Sequence, residues 1–235
     1  SKELTAQGID CHEKDILFTH RYLRDLGLTP MTLLEAEGEP RIDAGFRVPV
    51  FDALSVKQVS KEAVQHLKIL AVDIETYSTK KEINPQTNPI LMIGFYGVDE
   101  QGNEFKKALT WKHFRHELEY LEVVQDEVEL LKRFRQILLE YSPDLITGYF
   151  SDVFDFPYIA TRAAKYNLAL DLGQDFSELG IERRGEFREG RSWIRGMVHV
   201  DVFQFIRNIF GKNLRTGSLS LDAVSGELLG HKKHQ

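Results

Sequence analysis

The residues best placed to do chemistry are Asp73 and Glu75, in the run Lys68-Ile-Leu-Ala-Val-Asp-Ile-Glu-Thr76. Side chains alternate along a strand, so the two carboxylates project to one side, roughly 6–7 Å apart. Residues 69–72 read as a strand buried on both faces, as at the centre of an α/β sheet. Two acids at the end of such a strand are costly without a cation. A divalent metal is the natural partner, because hard cations take carboxylate oxygen. A solvated strand end explains the same pair equally well.

A second group of acids follows the short apolar run 145–148. Taken alone, Asp152 reads as a turn residue. Asp155, just before a helix expected over 156–166, reads as its N-cap. Acids at the carboxyl end of a central strand lie where open α/β sheets place their ligands.

The elements that must position these acids are legible in part. Residues 1–66 read as a small α+β preamble. It has a helix over 15–27 with apolar Leu17, Phe18, Tyr22 and Leu26, a turn-rich loop over 35–45, and an edge strand near Pro49. From residue 67 strands and helices alternate: a strand over 90–98, a turn at 99–103, and a hairpin return over 105–110. A helix over 126–141 carries Val128, Leu131, Phe134, Leu138 and Tyr141 as its stripe. A strand over 197–201, a helix through 209 and a helix over 219–229 complete the pattern. The class is α/β.

Composition narrows the partners. The chain has 235 residues, enough for one large domain or a domain with a smaller lobe. Cys11 is its only cysteine, so no intrachain disulfide forms and a reducing compartment fits. No apolar stretch approaches membrane-spanning length. A formal charge of −6 argues against bulk attraction to nucleic acid, so any such binding uses local basic patches.

Taken in order, Asp73-Ile-Glu75-Thr76, then Thr147-Gly148-Tyr149, then Phe154-Asp155-Phe-Pro-Tyr158, resemble the 3′→5′ proofreading exonuclease domain of family B DNA polymerases. Residues 15–31 resemble the segment preceding that domain in archaeal members. Residues 197–203 and 220–224 resemble later pieces of it. The resemblance runs from about residue 10 to 230. It implies a ribonuclease-H-like fold, a mixed central sheet flanked by helices, over residues 67–235, after a preamble at 1–66 from the polymerase N-terminal region. It implies Asp73, Glu75 and Asp155 as catalytic ligands of two divalent metals, Mg²⁺ or Mn²⁺. Thr76, Tyr149 and Phe150 would contact the DNA. The implied partners are a single-stranded 3′ end, primer-template DNA, the rest of a polymerase chain, and a sliding clamp through other regions. The implied location is cytoplasmic, at the nucleoid, with no membrane.

The chain departs from the family twice. Where members carry Asn after Gly-Tyr, it has Phe150, which cannot hydrogen-bond water or phosphate but can stack on a base. The family's third motif, Tyr-x-x-x-Asp, does not follow residues 219–229. The expectation is an excised fragment ending before that motif, weak or inactive alone. The alternative is a silenced domain that binds DNA or a polymerase subunit.

Residues 183–195 mix five arginines with two aromatics, and a hairpin turning at Glu189-Gly190 is expected, with Arg191, Trp193 and Arg195 on DNA. A solvated hairpin balanced by Glu182, Glu186 and Glu189 is the plainer reading. His113 with His116, and His231 with His234, lack a zinc pattern and read as surface residues. The acidic residues from Glu117 to Glu129 read as a solvated face and a helix start.

Overall fold

The computed structural model describes residues 6–8, 16–42, 45–79, 82–184, 189–211 and 213–230, with only the backbone at 183, 184 and 189. Cys11, Asp15, Glu186, Arg188, His231 and His234 lie outside the described residues, as do the side chains of Arg183, Arg184 and Glu189. The chain divides into two compact units, residues 1–44 with 49–65, and residues 45–48 with 66–235.

The first unit carries helix α1 (Phe18–Asp25) and an antiparallel ribbon of β1 (Thr32–Arg41) and β2 (Val50–Ala63). The loop expected over 35–45 is therefore mostly strand. Neither strand has a buried residue, so no apolar alternation marks them. Ladder bonds and cross-strand charges hold them instead: Arg41 grips Asp52 at 2.9 and 2.6 Å, and Lys57 lies 2.7 Å from Glu35. Gly38 is required where the strands crowd, since a Cβ there would sit 1.9 Å from the Asp52 carbonyl oxygen.

The second unit is built on a six-stranded mixed sheet. Its order is β10 (Val198–Asp201), β7 (Leu145–Gly148), β3 (Ile69–Thr76), β4 (Ile90–Val98), β5 (Glu104–Thr110) and β6 (Leu121–Val123). The pairs β10–β7, β7–β3 and β5–β6 are parallel, and β3–β4 and β4–β5 are antiparallel. This is the mixed sheet flanked by helices that the sequence implies, with β3 inside it.

One face of the sheet meets α2 (Glu127–Tyr141) and α3 (Asp155–Lys165). Asp126 starts α2 by accepting the Glu129 N–H at 2.9 Å, and Ser142 ends it in the left-handed region. Phe134 stacks on Phe95 in the core, with Leu70, Val72 and Ile74 of β3 beside them. Each such buried side chain contributes about 1.5–3 kcal/mol. The opposite face is covered only in part, by α4 (Val202–Ile209) and α5 (Leu221–Leu229). A cavity of about 520 Å³ remains there, lined by Asp73, Tyr96, Lys106, Tyr149, Val202 and Leu221. Burial along β3 therefore alternates, with Ile69 37% exposed and Leu70 fully buried. The expectation of burial on both faces is corrected by that uncovered side.

Glu127 belongs to the core, not to a solvated face. Its carboxylate accepts from the Ile90 N–H at 2.8 Å, from Arg162 and from the Tyr166 hydroxyl at 2.7 Å. Burial opposes its ionisation, but these donors outweigh it and hold the carboxyl below its usual range. Arg162 also reaches the carbonyls of Pro85 and Gln86, at 3.0 and 3.3 Å, so the pair fixes the loop that leads into β4. His116 is only half exposed: its ring meets Phe114 at 5.4 Å, and its covered Nδ1 has no hydrogen-bond partner among the described residues.

Replacing one member of this pair strands the other charge in the core. Arg162→Met is expected to lower stability by about 3–5 kcal/mol, read by urea unfolding. The double change Glu127→Gln with Arg162→Met should recover a large part of that loss. No recovery would mean that the pair acts through packing and not through charge.

Candidate functional site

Strand β7 is four residues long and β3 is eight, so their parallel pairing stops at Ala71 and Thr147. Beyond that point the β7-side edge of β3 has no strand partner among the described residues. The Ile74 N–H on this edge donates instead to Asp155 Oδ1 at 3.1 Å, a buried bond. Asp155 is the first residue of α3 and 2% exposed. Its carboxylate does not cap its own helix. Phe154 holds the cap position without a side-chain bond, so the N-cap reading of Asp155 is corrected.

Burial and the neighbouring charge of Asp73 push the Asp155 carboxyl up to about 7. The Ile74 N–H pulls against them, and Asp201 adds to the rise. Asp73 and Glu75 lie on the same, exposed side of β3, as the alternation requires. Thr76 follows across an irregularity in the β3–β4 register. Tyr158, buried in α3, lies within hydrogen-bonding reach of Thr76 and donates to the Asn88 carbonyl at 2.8 Å.

Asp201 is the acid whose role the sequence did not reveal. It is 4% exposed at the end of β10. Its carboxylate accepts three backbone N–H groups: Phe150 at 2.9 Å, Asp152 at 3.1 Å and Phe203 at 2.9 Å. It thereby caps α4 and folds the turn between β7 and α3. The available signal was its position, an aspartate directly after an apolar strand, as in β3.

That turn carries the DNA-contact candidates Tyr149 and Phe150. Tyr149 donates to the Leu219 carbonyl at 2.6 Å, and its ring meets Phe203 edge-on at 5.6 Å. Phe150 adopts φ +68°, a left-handed conformation that strains a bulky side chain by about 1–2 kcal/mol. Its ring also meets Phe203 edge-on, at 5.0 Å. With Arg207, Ser218 and Ser220 these aromatics line a cavity of about 600 Å³.

The basic segment forms a hairpin of β8 (Gly180–Arg184) and β9 (Glu189–Trp193). Glu189 and Gly190 pair with Arg184 and Arg183 inside it, so they are strand and not the turn expected there; residues 185–188 lie outside the described residues. Arg191 and Trp193 share the outer side of β9. The indole of Trp193 lies over Gly180, and Arg195 is held by Asp175 at 3.0 Å. Arg191 and Trp193 therefore stand on the hairpin, and Arg195 follows it, beside Asp175.

The donor set suits a hard cation in part. Asp73 and Asp155 are like charges that a cation between them would reconcile, and Glu75 offers oxygen on the same side as Asp73. Among the described residues, no three Asp, Glu, His or Cys side chains are gathered into a metal-enclosing group.

Comparison with known proteins gives a consistent picture. The family model described as DNA polymerase family B, exonuclease domain, matches residues 9–224. A DNA polymerase of Methanocaldococcus jannaschii is 37% identical over 224 residues, covering 95% of this chain and 12% of that protein. DNA polymerase 1 of Pyrococcus abyssi is 35% identical over 228 residues, covering 97% of this chain and 24% of that protein. The chain therefore spans a quarter or less of the length of these relatives. The solved family B DNA polymerase of Pyrobaculum calidifontis aligns over 92% of this chain and 25% of its own, with a TM-score of 0.66 at 24% identity, a likeness of fold.

Two outcomes follow from the geometry. A carboxyl raised in the fold stabilises below its unfolded value and loses that contribution as pH climbs through its folded value. With Asp155 near 7, stability in chelator should fall by about 4 kcal/mol between pH 4 and pH 8 from this group. Urea unfolding across that range should show the slope. Asp155→Asn should flatten it, and Mn²⁺ should restore stability at pH 8; an unchanged slope in the variant would refute the assignment. At residue 150, Asn tolerates the left-handed region and Ala does not. Phe150→Asn should exceed Phe150→Ala in stability by about 1 kcal/mol in the same measurement.

Proposed function

The chain belongs to the family B DNA polymerase exonuclease domains, and from that premise we propose that it removes nucleotides from the 3′ end of DNA by metal-assisted hydrolysis within a DNA polymerase. Residues 1–66 are assigned to the polymerase N-terminal region and residues 67–235 to the exonuclease domain. Asp73, Glu75 and Asp155 are the metal ligands in this reading, with Mg²⁺ or Mn²⁺ as the ion. The observation that carries it is the Asp155 carboxyl, raised by its burial and by the charge of Asp73 and bonded to the Ile74 N–H of β3. A protein keeps such a like-charged pair where a cation neutralises it.

Asp73, Glu75 and Asp155 would hold the divalent ion, which would supply Lewis acidity to activate water and to offset charge on the departing 3′ oxygen. The residues of the chain orient the rest. The Ile74 N–H holds Oδ1 of Asp155 and so fixes the orientation of its carboxylate. Thr76 and Tyr158 border the end of β3, where a frayed terminal nucleotide would sit. Tyr149 and Phe150 offer aromatic surface to an unstacked base. Arg191 and Trp193 on the hairpin and Arg195 just after it contact the strand or the primer-template duplex. The rest of the polymerase and, through it, a sliding clamp are the further partners, with the nucleoid in the cytoplasm as the place of action.

Phe150 supports a second reading, a domain that binds DNA without cutting it. Its side chain has no hydrogen-bonding atom where the family's Asn would meet water or phosphate. Labelled single-stranded DNA with Mg²⁺ or Mn²⁺ separates the two. The expected result is slow shortening from the 3′ end that stops in Asp73→Ala, with Phe150→Asn faster by about tenfold, the worth of one added hydrogen bond in the transition state. Retained DNA binding without shortening, in both the parent chain and Phe150→Asn, would establish the silent reading.

A further inference from the structure

The turn between β7 and α3 is joined to the hairpin by a buried polar knot that the proposed chemistry does not use. Asp152 Oδ1 accepts the Ser192 N–H of β9 at 2.6 Å, and the Asp152 carbonyl accepts the Ser192 hydroxyl at 3.1 Å. His199 of β10 sits behind them. Its Nδ1 faces two acceptors, the Ser192 carbonyl at 2.9 Å and Asp152 Oδ1 at 3.3 Å, so Nδ1 carries the proton. Its Nε2 pairs with the Ser151 hydroxyl at 2.9 Å. The order Ser151, His199, Asp152 has the connectivity of a hydrolytic triad. Ser151, however, is fully buried, so no substrate reaches its oxygen.

Shape adds to the bonds. A Cβ at Gly190 would lie 3.2 Å from the Asp152 carbonyl oxygen, so the bare backbone of β9 is what allows the close approach. Asp201 fastens the same turn from its other side through the Phe150 and Asp152 N–H groups. Three residues beyond Asp152 stands Asp155. On β9, Arg191 and Trp193 flank Ser192 on the opposite, outer side.

We propose that Asp152 is a positioning residue that makes the β8–β9 hairpin and the turn 148–155 one rigid body, so that a DNA strand held on the hairpin sets the placement of Asp155. The coupling itself rests on the knot. Only its use rests on the DNA reading given above. Asn at position 152 keeps an oxygen acceptor for the Ser192 N–H, and Ala does not, so the pair separates geometry from bulk.

Amide hydrogen exchange on the metal-free, DNA-free chain is the first measurement. Asp152→Ala should speed exchange at residues 150–155 and at 190–193 together, by about tenfold in each, while Asp152→Asn stays near the parent. Mn²⁺ affinity should follow, weaker by about tenfold in the Ala variant and rescued in Asn. If Asp152→Ala does not fold, Ser192→Ala, which removes only the hydroxyl bond, should give the same joint pattern at smaller amplitude. Faster exchange confined to 190–193, or an Asn variant indistinguishable from Ala, would overturn the proposal. A single-stranded oligothymidylate is the second probe. It should protect both segments in the parent and the hairpin alone in Asp152→Ala; equal protection in the two proteins would also overturn it. No protection in the parent would remove the DNA reading, and the exchange result would still decide the coupling.

Discussion

The site depends on one unequal pairing. A four-residue strand lies beside an eight-residue one, and the longer strand carries its acids past the end of the shorter. A buried N–H on that overhang costs about 1–3 kcal/mol if left alone. The Asp155 carboxylate meets it at 3.1 Å. A side chain from α3 thus replaces the missing strand partner. In doing so it brings a third acid to the edge where Asp73 already stands. Fold stability and charge crowding are set by the same contact.

The turn that delivers Asp155 is fixed before it reaches the edge. Asp201 gathers three backbone N–H groups. This drives Phe150 into the left-handed region, where its ring gains an edge-on contact with Phe203. Aromatic pairs of this kind contribute about 0.5–1.5 kcal/mol, comparable to the backbone strain they offset. A small polar residue would meet the same backbone with less strain and more hydrogen-bonding capacity. Phe150 thus presents an aromatic face at a backbone position that also suits a small polar side chain.

The sequence disclosed the second unit better than the first. The helix stripe through Phe134 and Leu138, the alternation that puts Asp73 with Glu75, and the hairpin of β4 and β5 were all legible, because each buries one side. Most of β1 reads as a loop over 35–45, while only its partner β2 shows strand character near Pro49, since exposed strands held by Arg41–Asp52 and Lys57–Glu35 show little apolar period. Burial of β3 on both faces was overread from four consecutive apolar residues, which do not report what covers the second face. Glu127 looked like one more solvated acid, because its partner Arg162 is 35 residues away. Asp201 was seen as a strand end and not as an organiser of the turn, for the same reason of distance. Glu189 and Gly190 have turn-like chemistry, yet they pair within β9.

The bond from Ile74 has an evolutionary consequence. It asks only for an oxygen acceptor, and an amide has one as well as a carboxylate. Exchange of a single oxygen for nitrogen at Asp155 therefore leaves the overhanging strand satisfied while removing a charge from the edge. On the proposed metal role of Asp155, a lineage can lose the chemistry in one codon step without dismantling the architecture. Silent descendants of such a domain are then expected to persist as scaffolds, with the acid's shape preserved after its purpose has gone.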